Sequence, residues 1–136
     1  QYCAPALSEY TRILHERGKV VLLHACGHLR DLLGQIAQTG VDGIESLTPP
    51  PTGNTELSLA REILGPDSIL IGGLDPAVFV SAQPEELERM VEQIASWARP
   101  GRNYALMPAD SCPAGAPLAN FAAVQQAIER YARWQS

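Results

Sequence analysis

Apolar residues along this chain fall into short runs, each followed by a stretch with helical spacing, and the pattern recurs four times. Residues 19–26 are almost all apolar, as expected of a strand covered on both faces. Beyond Gly27, apolar positions at 29, 32, 33, 36 and 37 have the spacing of a helix, and Gly40 ends it. The next unit has a strand at 41–47, a loop over 48–54 containing Pro49, Pro50 and Pro51, and a helix at 55–64 closed by Gly65 and Pro66. The third has a strand at 68–74. Its helix opens at Pro84, where Glu85 and Glu86 complement the helix dipole, and stops at Pro100 and Gly101. The fourth has a strand at 104–109 and a helix at 117–134, while residues 6–17 form a helix that feeds the first strand. Strand–helix alternation at this rhythm predicts an α/β chain with a parallel sheet and helices outside it. No linker interrupts the pattern, so residues 1–136 read as a single domain. The rhythm is shared by an open doubly wound sheet and by part of a (β/α)₈ barrel, and both place ligands at the C-terminal ends of the strands.

Composition narrows the class. A hydrophobic fraction of 46% with 18% charged residues is that of a globular chain. No apolar run approaches the roughly 18 residues that span a bilayer, so no membrane association is expected. The net charge is −5 and the ten Lys and Arg residues are scattered, which excludes nucleic acid as a natural partner. Three widely spaced cysteines, at 3, 26 and 112, suit a reducing compartment better than a disulfide framework, and the cytoplasm is the expected location. The chain opens with Gln1, so a preceding region is expected to be missing.

The strand ends carry the chemistry. His24 and Cys26 lie two apart at the end of the first strand, so their side chains project together. The fourth strand runs into Asp110, Ser111 and Cys112, and in a parallel sheet both ends reach one rim. One imidazole and two thiols are a donor set for Zn²⁺ that leaves a fourth position open. A His and a Cys on an apolar strand are also commonplace core residues, and the residues alone leave both readings standing. Cys3 lies outside any strand end and reads as a packing residue, and His28 as a surface residue at a helix start. Asp75, before Pro76, suits a turn as well as a reaction, and Asn120 suits a helix cap or a pin for the preceding loop.

Taken together, Gly18 to Gly27 with His24 and Cys26, then Gly40, Asp42, Gly43 and Glu45, then Gly72, Gly73, Leu74, Asp75 and Pro76, then Asp110, Ser111 and Cys112 with Pro117 and Asn120 resemble the C-terminal half of the uroporphyrinogen decarboxylase superfamily. The likeness is greatest to the corrinoid-linked zinc methyltransferases of the coenzyme M type. It implies about four βα units, half of a TIM-type (β/α)₈ barrel. It implies zinc held by His24, Cys26 and Cys112, and methyl transfer from a methyl-corrinoid (cobalamin) on a partner corrinoid protein to a small-molecule thiol or similar acceptor. Glu45 is then an orienting acceptor for His24, a fourth ligand or a solvated carboxylate, and the loop of Asp75 lies beside the active site; these two are the candidate catalytic residues. The chain departs from the family in a shorter loop between Cys112 and Pro117 and in Gly73, where an Asn is common. True decarboxylases lack the paired thiols, which places tetrapyrrole decarboxylation second. A non-catalytic metal-binding half-barrel comes third. Four strands of a barrel leave two apolar edges open, so pairing with a missing N-terminal half or a second copy in a homodimer is expected.

Overall fold

The apolar runs become four parallel strands in the order β1-β2-β3-β4, each next to its sequence neighbour. The computed structural model describes residues 2–98 and 103–132. Its elements are α1 (Cys3–His15), β1 (Leu22–His24), α2 (Leu33–Ala37), β2 (Gly43–Leu47), α3 (Leu57–Leu64), β3 (Ile69–Leu74), α4 (Val78–Ser81), α5 (Pro84–Trp97), β4 (Tyr104–Pro108) and α6 (Leu118–Tyr131). The expected helix stop at Pro100 and Gly101, and the end of the last helix at Trp134, lie outside the described residues.

One face of the sheet is closed by helices. Ile44 and Leu70 are fully buried among Leu29, Leu33, Leu57 and Ala60, which joins β2 and β3 to α2 and α3. A second cluster of Leu74, Phe79, Leu87, Val91, Val124 and Ala127 joins the end of β3 to α4, α5 and α6. The start of α5 follows from its sequence. Pro84 occupies the first turn, where its missing N–H costs nothing, and the Glu86 carboxylate accepts the backbone N–H of Gln83 at 2.8 Å.

Three elements differ from the sequence pattern, each for a local reason. Strand β1 is three residues long, although its backbone ladder extends from Val21, which accepts from Asp42 N–H, to Ala25, which donates to Glu45. Its exposure alternates, and Val20 and Leu22 are 64% and 42% exposed, so in this chain only one face of the run is covered. Helix α2 starts four residues later than its apolar spacing; residues 29–32 form a turn closed by Leu32 N–H on Leu29 O, with the Arg30 N–H donated to the Asn54 side chain at 3.2 Å. The turn α4 is too short to show a period in sequence; it is started by Asp75, whose Oδ1 accepts Ala77 N–H at 2.7 Å, and anchored by buried Phe79.

Candidate active site

The C-terminal ends of β1, β2 and β4 bring His24, Cys26, Glu45, Ser46 and Asp110 to one part of the rim. Parallel pairing sets His24 opposite Glu45, and His24 Nδ1 lies 2.5 Å from Glu45 Oε2. Ser46 Oγ donates to Glu45 Oε1 at 2.8 Å and lies 3.3 Å from His24 Nδ1. The Glu45 carboxyl is held below its ordinary range by the His24 hydrogen bond first and the Ser46 hydroxyl second, with burial opposing both. An ionised carboxylate only accepts, so the Nδ1 proton belongs to His24 in this pair and Nε2 is the nitrogen left for a ligand.

Ser46 was not foreseen. Strict alternation along β2 sends residues 45 and 46 to opposite faces, but the β2–β3 register shifts between Ile44 and Leu47 and Ser46 takes a φ of +70°. A buried non-glycine residue in that region costs about 1–3 kcal/mol and persists only where its surroundings hold it. Here the outcome is a hydroxyl turned onto the Glu45 carboxylate. The only hint in sequence is a polar residue within an apolar strand.

Asp110 follows β4 directly. Its carboxyl is kept below the ordinary range by the Ser111 N–H, 2.6 Å from Oδ1, then by a hydrogen bond from the Cys26 thiol, with the charge of His24 adding to both and burial opposing. Cys112 is placed differently. It is partly buried against the second apolar cluster, and that burial pushes its thiol pKa up. Among the described residues, no three His, Cys, Asp or Glu side chains surround a common metal position. By donor chemistry and exposure, His24 and Cys26 fit a soft divalent cation, while Cys112 is half-buried at the edge of the second apolar cluster.

The remaining candidates have structural partners. Asp75 is 2% exposed and accepts Thr52 N–H at 2.7 Å, the Thr52 hydroxyl at 2.5 Å and Ala77 N–H. It thereby ties the proline loop to the start of α4, which makes it a residue that fixes the rim. Asn120 is buried and donates to the carbonyls of Phe79 and Ala82, so it pins α4 rather than the loop before α6. Gly73 has a φ of +99°, and a Cβ there would lie 2.5 Å from the Tyr104 hydroxyl, which donates to Gly72 O. Cys3 is exposed at the start of α1 rather than packed, and His28 is exposed.

Parallel strands in sequence order, helices on one face and polar side chains gathered at the C-terminal rim define part of a (β/α)₈ barrel. The chain belongs to the uroporphyrinogen decarboxylase (URO-D) family, which it matches over residues 1–131. Among solved structures, a methyltransferase from Methanosarcina mazei superposes with a TM-score of 0.72 at 18% identity, over 95% of this chain and 35% of that one. At that identity the likeness is one of fold, and the chain spans about a third of the methyltransferase's length. No curated protein matches. Among the described residues, no helix is long and apolar enough to cross a membrane.

Proposed function

We propose that this chain carries the metal-binding rim of a zinc methyltransferase, which moves a methyl group from a methyl-corrinoid on a partner protein to a small-molecule thiol. The observation that carries the reading is the His24–Glu45 pair beside Cys26, at the strand ends of a family barrel. A carboxylate on one ring nitrogen fixes the tautomer and orients the other nitrogen, as supporting carboxylates do for metal-bound histidines. His24 Nε2 and the Cys26 sulfur would hold the ion, with a third donor from the segment after β4. When bound, zinc keeps an acceptor thiol ionised at neutral pH, and the protein's part is to orient that sulfur. Asp75 serves by fixing the loop above the rim, and Ser46 by holding Glu45.

Metal analysis and turnover test this together. Zinc near one per chain, with thiol methylation that needs a methyl-corrinoid donor and vanishes on chelation, is the expected result. Glu45→Gln should weaken zinc binding about 10–100-fold. The family description supports a second reading, decarboxylation of a tetrapyrrole. Conversion of uroporphyrinogen by the metal-free protein, assembled with whatever completes its barrel, would establish that reading and end the first.

A further inference from the structure

We propose that Ser46 is a positioning residue for His24: its hydroxyl, placed by a bulge in β2, locks the Glu45 carboxylate so that His24 keeps its proton on Nδ1 and presents the Nε2 lone pair at the rim. The inference deepens the reading above and rests on it only for what Nε2 then binds. Leu70 stands opposite Ile44 and Gly72 opposite Leu47, so β2 carries one residue more than β3 over that span. Ser46 takes up the difference with a φ of +70°, and its side chain is buried. The neighbouring strand makes room for this with a glycine, since a Cβ at Gly72 would lie 2.6 Å from Leu47 O and 2.7 Å from Leu47 N. A bulge beside a site re-aims a side chain, and here the group re-aimed is a hydroxyl.

The hydrogen bonds allow one assignment of protons. The Ser46 hydroxyl has a single proton, and its oxygen lies 2.8 Å from Glu45 Oε1 and 3.3 Å from His24 Nδ1. Were that proton given to Nδ1, the carboxylate would lose its hydroxyl donor and meet a bare ring nitrogen at 2.5 Å, acceptor against acceptor. Donated to Oε1 instead, it leaves the Nδ1 proton to Oε2 and the Ser46 oxygen, and every group is matched. His24 and Glu45 alone hold this arrangement weakly. Their side chains are 65% and 27% exposed, and ion pairs between exposed, rotatable side chains are worth little. Ser46 differs because it is fixed on buried backbone, so one carboxylate oxygen stays in place while the other meets the ring.

Nitrogen NMR of the ¹⁵N-labelled histidine rings tests this on the full, metal-free chain at about pH 8, where ordinary imidazoles are neutral. The variant is Ser46→Gly. Glycine adopts a positive φ readily, so the hydroxyl is removed while the bulge is kept, and circular dichroism checks the fold. In the unmodified chain His24 should show a protonated Nδ1 and a bare Nε2. In Ser46→Gly the two shifts should draw together as the Nε2–H form enters exchange, while His15 and His28 keep their positions. A purely structural role for Ser46 would not move the tautomer of one histidine. Ser46→Ala, smaller by one oxygen, carries the same test should the glycine variant not fold. A His24 spectrum that is the same with and without the hydroxyl, or an unmodified chain with the proton on Nε2, overturns the inference. An unmodified chain that takes up no zinc, yet loses its Nδ1–H form in Ser46→Gly, removes the zinc reading and keeps this one. Zinc uptake with an unchanged His24 spectrum does the reverse.

Discussion

The face of the sheet that carries Ile44 and Leu70 and the face that carries Leu22 and Met107 are built from the same four strands, but they have different surroundings. The first is closed by helices, and both of its central residues are inaccessible. On the second, Leu22 and Met107 remain 42% and 36% exposed, and Val20, just before β1, is 64% exposed. The same division runs along the strands. Polar groups at the N-terminal end hold helix to sheet, whereas those at the C-terminal end cluster beside one another. In a closed barrel both faces of the sheet are packed, the outer against helices and the inner against itself, and ligands bind at the top. In this chain the division is visible residue by residue, because only one of the two faces is covered.

The largest effect that tests the contrast concerns association. An exposed apolar face with open edges at β1 and β4 is covered in a closed barrel, and soluble proteins tolerate only about a few hundred Å² of such surface. The chain is expected to bind the complementary strands of a longer barrel or, alone, a second copy through a two-fold interface. Leu22→Glu should weaken that association without unfolding the chain, because its site is half open. Light scattering that shows a stable, well-folded monomer of the parent chain at tens of micromolar would remove the proposal.

Stability separates the two faces more finely. Leu70→Ala leaves a cavity beneath α2 and α3 and should cost about 2–5 kcal/mol in urea unfolding. Leu22→Ala, measured on the isolated chain, should cost less than about 1 kcal/mol. Equal losses would mean that the inner face is already packed, by a second copy or otherwise. Repeating the pair at several protein concentrations distinguishes those cases, since only association makes the Leu22→Ala loss depend on concentration.

Much of this was legible in the sequence, and the reasons the rest was not are physical. Continuous apolar runs between helical stretches gave the parallel sheet and the element order, because buried parallel strands leave no other pattern. The barrel class needed the family motifs, since an open sheet has the same rhythm. At the rim, His24, Cys26 and Glu45 were readable from strand ends alone, because pairing between neighbouring parallel strands sets residue against residue. Ser46 was not, because a register shift reversed the face to which alternation assigned it. Sequence shows that a loop follows β4, but not which of its side chains turns to the rim and which turns to α6. Asp75 was readable as a turn residue, and its partner Thr52, 23 positions earlier, was not.

The smallest predicted effect concerns the N-terminal end of the same two strands, where a second histidine–carboxylate pair stands in contrast to His24 and Glu45. Asp42 Oδ2 accepts the Val21 N–H at 2.6 Å and lies 2.9 Å from His15 Nε2, so one carboxylate joins α1 to β1 and β2. The Val21 hydrogen bond does most to hold the Asp42 carboxyl below its ordinary range, and His15 adds to it while burial opposes. A carboxyl whose folded pKa is depressed contributes stability above its unfolded pKa, and loses that contribution as pH falls through the folded value. Asp42→Asn should therefore cost about 1 kcal/mol at neutral pH, mostly from the backbone hydrogen bond, because the partly exposed pair with His15 is worth little. The gap between parent and variant should hold down to about pH 4 and close below it, as the parent carboxyl takes up its proton. Urea midpoints for both proteins between pH 3 and 7 check this, and a gap independent of pH would mean that the ionised and protonated forms of Asp42 support the fold equally. Glu45 is held below its ordinary range as well, so Glu45→Gln in the same series should show a gap of the same sign that also closes below about pH 4. Weaker zinc binding should appear in Glu45→Gln alone, which separates the two pairs by the end of the strand on which each stands.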